Sequence, residues 1–385
     1  MKHHNNVFQQ LLKVIPKHQF QKVVDRHNGD HRVRRLPCWT QLLAMMYAQL
    51  SQRSSLRDLT ENFNTNHNHH YHLGTSSVQR SSLSDANAQR PAIIFAEVLY
   101  FLLQKVRGQL PKKAEKEMVR LIDSTTIDLN LNQFEWAHFR ETKSGIKLHT
   151  VYDPNADTPT FFELTPAKAS DCKAAKNLPI LSGVTYVFDR AYDDYTWYYD
   201  LNEQGTLFVG RMKSSAVYTV VNEREAAGDG ILSDQVIRLS SKQAQKDCPI
   251  DLRRIQFCRE EDGKLLTFIT NDLERSATEI ADLYKSRWQI ELFFKWIKQN
   301  LKIKRFLGRT ENAVKIQVLA AMIAYLLLRF VQLSYPCKLS MQQIARRVSL
   351  NLMTRRSLVS LLSDPPPQKN AAERGLQLGL VLQNV

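Results

Sequence analysis

Three acidic residues stand in settings where a carboxylate could do chemistry. Glu291 is the only acid in YKSRWQIELFFKWIKQNLK (residues 284–302), a stretch otherwise rich in cations and aromatics. Asp123 and Asp189 each follow an apolar run, MVRLID and GVTYVFD. Two aspartates and a glutamate brought together offer hard oxygen ligands to Mg²⁺ or Mn²⁺. Two such ions about 3.5–4 Å apart activate an attacking oxygen and stabilise a leaving oxygen in displacement at phosphorus. Cations on the same surface would hold a phosphate backbone.

Each acid also has a plainer use. An aspartate at a strand end reads first as a turn former or helix N-cap. Asp128, Asp153 and Asp171 compete, and by spacing Asp153 serves as well as Asp123. For Glu291 the helix can be drawn. At about 100° per residue, Tyr284, Arg287, Trp288, Glu291, Lys295 and Lys298 fall within one stripe. Leu283, Ile290, Phe293, Phe294, Ile297 and Leu301 fill the adjoining apolar arc. An Arg287–Glu291 pair one turn apart, worth a few tenths of a kcal/mol, explains the stripe equally well.

The elements needed to position these residues follow from periodicity. Residues 1–111 read as a helical N-terminal unit for DNA binding or scaffolding, with SLRDLTENF opening on a capping serine. Residues 112–213 alternate short apolar runs with helical stretches, the pattern of a mixed α/β unit. Residues 214–274 carry four strand-like runs separated by GDG and EDGK turns, and read as an all-β insertion. Residues 275–335 return to helix and complete the α/β core. Residues 336–385 read as a helical segment and a loose tail after SDPPPQKN.

Composition narrows the class. A formal charge of +15 over 385 residues points to a polyanionic partner, most simply nucleic acid. No run reaches about 18 apolar residues, and VLAAMIAYLLL is too short to span a bilayer. The first residues, MKHHNNVFQQ, lack the apolar stretch of a signal peptide. Five scattered cysteines without CxxC spacing predict reduced thiols rather than a disulfide framework or zinc site. NHNHHYHLG, holding His67, His69, His70 and His72, reads as a solvated polar loop. His149 reads as a packed core histidine.

These motifs resemble those of a known family. Tyr284, Arg287, Glu291 and Lys298 match the Y-x2-R-x3-E-x6-K signature of IS4-family DDE transposases of insertion sequences. LIDSTTIDL and VFDRAY resemble the family's two aspartate regions, and GIKLHTVYD the strand after the first. YAQLSQRSSLRDL and SSLSDANAQR resemble an N-terminal segment of one branch. The resemblance, spanning roughly residues 1–335, implies an RNase H-like catalytic core in which Asp123, Asp189 and Glu291 bind two Mg²⁺ or Mn²⁺ ions. It selects Asp123 over Asp153. It further implies phosphate contacts from Tyr284, Arg287 and Lys298, joined by Arg190, Trp288 and Lys295.

The implied activity is cleavage at transposon-end inverted repeats of double-stranded DNA and transfer of the ends to target DNA. The implied assembly is a homodimer on DNA, in the bacterial cytoplasm at the nucleoid, with no membrane. Relatives form hairpin ends and stack a flipped base on an aromatic of the insertion, for which Tyr218, Phe257 and Phe268 are open choices. Recognition of the ends falls to the N-terminal helices, with RSSLRDL as a candidate, and KIKRFLGRTENAVKIQ would extend the phosphate track. Two other readings are a nuclease on the same core without strand transfer and a non-catalytic DNA-binding descendant.

Overall fold

A computed structural model describes residues 5–110, 118–140, 143–335 and 337–363. The expected loose tail and the junction near Lys112 lie outside these residues. The N-terminal part is helical, as its apolar spacing predicts. Its helices are α1 (Val7–Leu12), α2 (Lys17–Arg26), α3 (Cys38–Leu50), α4 (Leu56–Thr65), α5 (His70–Leu73), α6 (Arg80–Gln89) and α7 (Ile93–Arg107). Ser55 caps α4, its hydroxyl accepting the Asp58 N–H at 3.1 Å. Every residue of α3 is buried. The histidine-rich stretch is not the expected loop but a 3₁₀ turn running into α5. Gly74, at φ +64°, closes that helix. His70 stacks on Phe63 with ring centroids 4.7 Å apart.

The α/β part alternates strands with helices, as its apolar runs predict. It runs β1 (Met118–Leu129), β2 (His138–Arg140), β3 (Lys143–Asp153), β4 (Thr158–Pro166), α8 (Asp171–Ala175), β5 (Val184–Val187), α9 (Tyr195–Glu203) and β6 (Leu207–Arg211). Next come β7 (Tyr218–Arg224), β8 (Ile231–Leu239), α10 (Lys242–Asp247), β9 (Leu252–Cys258) and β10 (Leu265–Thr270). The chain then forms α11 (Ala277–Ser286), α12 (Trp288–Asn300), α13 (Glu311–Ser334), α14 (Met341–Asn351) and α15 (Leu358–Leu362).

One mixed sheet contains every described strand. Its order is β3–β1–β5–β6–β10–β9–β8–β7, with β2 and β4 also paired to β3. β1, β5 and β6 are parallel, and the remaining pairs are antiparallel. The stretch 214–274 departs from the all-β expectation. α10 interrupts it, built from the helix-forming KQAQKD and capped by Ser241, whose hydroxyl accepts the Ala244 N–H at 3.2 Å. Its strands also extend the central sheet, because β10 pairs with β6 through Phe268↔Arg211 and Ile269↔Gly210.

Two apolar clusters hold the molecule together. One joins the N-terminal helices, α12 and α13 to residues of the sheet such as Leu121, Leu148 and Phe268. The second gathers Phe188, Trp197, Tyr198 and Phe208 between the parallel strands and α9. α13 is longer than its VLAAMIAYLLL segment suggested. By length and composition it could cross a membrane, yet most of it is buried inside the protein. A helix apolar on all sides is what a central core position requires.

Candidate active site

Strand register brings the two aspartates together. β1 and β5 pair in parallel, with Leu121 opposite Val187. Asp123 and Asp189 each lie two residues beyond that pair, on strands about 4.8 Å apart. The settings nevertheless differ. β5 ends at Val187, and the Asp189 carboxylate accepts the Ala191 N–H at 2.8 Å, capping a 3₁₀ turn. Asp123 does not end its strand, contrary to expectation, because β1 continues to Leu129 against β3.

Glu291 reaches this pair through an arginine. The expected single helix from Tyr284 is broken at Arg287, which ends α11 and begins α12. α12 stops at Asn300, where Leu301 turns extended. From this junction the Arg287 guanidinium donates to Asp123 Oδ2 at 3.1 Å and to Glu291 Oε1 at 2.5 Å. The pair one turn apart is therefore real, and the same arginine also reaches across to β1. Burial pushes the Asp123 carboxyl up to about 7, opposed by Arg287 and reinforced by Asp189 and Glu291. Burial disfavours the Arg287 charge, but Tyr284, Asp123 and Glu291 more than offset it and hold its pKa above the ordinary value.

A polar layer lies behind Asp123. The Ser124 N–H donates to Asp123 Oδ1 at 2.8 Å, and the Ser124 hydroxyl donates to Asp171 Oδ1 at 2.6 Å. Lys147 donates to the other Asp171 oxygen at 2.8 Å. His149, 1% exposed, sits 3.6 Å from Asp171 and bonds Thr165 at 2.8 Å. Asp171 entered the sequence reading only as a rival to Asp123. Ser124 and Lys147 were missed, although Lys147 and His149 alternate with Leu148 on β3, the period that puts both on one sheet face. Arg211 on β6 was also missed; its Nε is buried without a hydrogen-bond partner, and its charge is felt by Tyr284.

The other expected residues divide. Tyr284 does not lie on an open stripe: it is buried and packs on Phe268 with centroids 4.8 Å apart. Phe268 is thereby held in the core, leaving half-buried Tyr218 and Phe257 of the three aromatics considered. Trp288 is 59% exposed, and Lys295 and Arg190 are exposed. Lys298 is half-buried; burial lowers its pKa, while nearby Asp128 opposes that and Lys304 adds to it. Asp153 is occupied in a turn, accepting the Asn155 and Ala156 N–H groups and pairing with Arg120 at 2.9 Å. In RSSLRDL, Arg53 is tied to Asp58 at 3.2 Å, while Arg57 is exposed.

The donor set suits a divalent cation. Asp123, Asp189 and Glu291 supply hard oxygens, and each of the other two raises the Asp123 pKa. Among the described residues, however, no three His, Cys, Asp or Glu side chains stand close enough to hold a metal together. Arg287 lies between two of the three carboxylates.

Comparison with known proteins identifies the family. A family model described as the transposase DDE domain matches residues 114–327. A second, described as a domain of unknown function, matches residues 3–76. A Sinorhizobium fredii protein named as the transposase y4zB is 42% identical over 292 residues, 74% of this chain and 80% of that protein. A Geobacillus stearothermophilus protein, named as a transposase for insertion sequence element IS5377, is 30% identical over 67% of this chain and 68% of its own length. One from Synechocystis, named for element IS4SA, is 25% identical over 67% of this chain and 73% of its own length. The chain belongs to the transposase DDE domain family and is an insertion-sequence transposase of the IS4 type.

Proposed function

We propose that this transposase cuts and joins transposon-end DNA at Asp123, Asp189 and Glu291, on an RNase H-like core formed by β1, β3, β4, β5 and β6. The supporting observation is the Leu121↔Val187 register, which sets Asp123 beside Asp189, with Glu291 linked to Asp123 through Arg287. The three carboxylates would hold two Mg²⁺ or Mn²⁺ ions, which activate the attacking oxygen and stabilise the leaving one. The residues around them define the rest. Ser124 fixes the Asp123 carboxylate, and Asp171, held by Lys147, fixes Ser124. Arg287, relieved of a carboxylate, would be free to turn a guanidinium edge to phosphate. Trp288, Lys295 and Arg190 line the exposed approach, and Tyr284 acts by packing the junction from which Arg287 projects.

In the first step water attacks phosphorus at the element end. A P–O bond forms and the P–O3′ bond breaks, leaving a 3′-OH and a 5′-phosphate. The 3′-OH then attacks phosphorus in the opposite strand or in target DNA, exchanging one phosphodiester for another. The chain is read as five units (1–111, 112–213, 214–274, 275–335 and 336–385). It works as a homodimer on paired DNA ends in the bacterial cytoplasm, at the nucleoid.

The test incubates protein and Mg²⁺ with DNA bearing the element's inverted repeats and a supercoiled target plasmid. End cleavage with joined product is expected. Asp123→Asn, Asp189→Asn and Glu291→Gln should each lower cleavage by at least about 10³-fold, a few kcal/mol of transition-state stabilisation. Cleavage without joining would make the protein a nuclease on the same core. Full cutting by all three variants would remove the site assignment.

A further inference from the structure

A second cationic site lies among the N-terminal helices. The loop between α2 and α3 and the loop leading into α6 enclose a cleft of about 320 Å³, lined by Arg34, Arg35, Ser76, Ser77, Gln79 and Ser82. No acidic side chain lines it. Arg34 and Arg35 are exposed and make no ion pair or side-chain hydrogen bond among the described residues. The backbone on both sides is pinned from within. Buried Arg90 donates to the Leu36 carbonyl and, at 3.0 Å, to Gln41 Oε1. The Asn64 amide brackets Val78, donating to its carbonyl at 2.9 Å and accepting its N–H at 2.8 Å. Gln79 gives α6 no side-chain cap, and no acid occupies its first turn. Two unpaired guanidiniums and three serines therefore line one preformed space beside a helix start without a side-chain cap, a setting suited to an oxyanion.

We infer that this cleft grips a backbone phosphate of duplex DNA, away from the three carboxylates. The inference rests on the transposase reading and deepens it by locating a DNA contact in the N-terminal helices. The surroundings favour DNA over a free anion. At the other end of α6, about 15 Å along the helix, Asn312 donates to the carbonyls of Asn87 and Arg90 at 2.9 and 2.7 Å. Asn312 follows the loop that carries exposed Lys304, Arg305 and Arg309, and that loop follows α12. Cations thus run from α12 through this loop to the far end of α6, a path a duplex could follow.

The test measures binding of the full-length protein to a fluorescent inverted-repeat duplex over a salt series, without divalent metal so that no strand is cut. The Arg34→Ala/Arg35→Ala double variant should bind about tenfold more weakly, with a log–log salt slope shallower by about 0.9, the value of one lost phosphate contact. Ser82→Asp should also weaken binding about tenfold while leaving the thermal midpoint unchanged or higher, because an acid in the first turn favours the helix. Unaltered affinity and slope in both variants would overturn the inference, as would weaker binding with the wild-type slope. Cleavage of the same duplex by wild type in Mg²⁺ separates the two failures. If wild type cuts and the variants bind normally, only the cleft is wrong. If wild type neither binds nor cuts, the proposed end cleavage fails with it.

Discussion

At the scale of single residues, the site depends on polar groups held out of water beside Asp123. His149 shows what this entails. Burial lowers its pKa from the ordinary 6.5 to about 4, Lys147 adds to the shift, and Asp171 opposes it. Between those two values the unfolded chain binds a proton at this position and the folded chain does not. Its contribution to stability is therefore intact above about pH 6.5 and is lost as pH falls towards 4, by up to about 3 kcal/mol. His149→Gln should show a flatter fall of melting temperature between pH 7 and 4.5 than wild type. Parallel melting curves would mean that the histidine is protonated freely in the folded protein.

At the scale of elements, the register of β5 and β6 decides where Asp189 stands. Phe188 precedes it and stacks on Phe208 and Tyr198, with centroids 5.8 and 5.7 Å away. Gly210 on β6 leaves room for that ring: a Cβ there would lie 2.8 Å from Phe188 Cε2. Gly210→Ala should therefore cost about 1–3 kcal/mol through overpacking and displace the residue next to Asp189. End cleavage should fall further than the few-degree drop in melting temperature accounts for. Equal, small losses in both would show that Phe188 can move without carrying Asp189.

Elements were also the most legible level of the sequence, because strands and helices announce themselves by period. All four strands of residues 214–274 were readable as alternating runs. α10 was not, since six polar residues carry no apolar stripe. Around the candidate site, the Arg287–Glu291 pair was legible from its one-turn spacing. Helical geometry alone could not reveal the break at Arg287 or the burial of Tyr284, because both depend on β1 and β10 arriving from elsewhere in the chain. Ser124, Lys147 and Asp171 were hidden for the same reason. Their meeting is a product of β1–β3 pairing and the placement of α8.

At the scale of the whole molecule, the N-terminal helices share a core with the carboxylate-bearing part. α13 packs on α3, α6 and α7, and nearly all its apolar residues are buried. Uncovering even five large side chains costs on the order of 10 kcal/mol, comparable to the entire net stability of a typical domain. The connection is also specific. The Gln49 side chain of α3 accepts the Lys302 N–H at 2.8 Å, just past the end of α12, and Asn312 is tied to α6. Those bonds anchor the chain on the exit side of the helix that carries Glu291. A chain lacking residues 1–110 should therefore lose its cooperative thermal transition and its end cleavage together, and adding the missing segment as a separate polypeptide should restore little of either. Cooperative melting with surviving cleavage of a short inverted-repeat duplex would instead make the N-terminal helices a detachable DNA-binding unit, with α13 able to close its core alone.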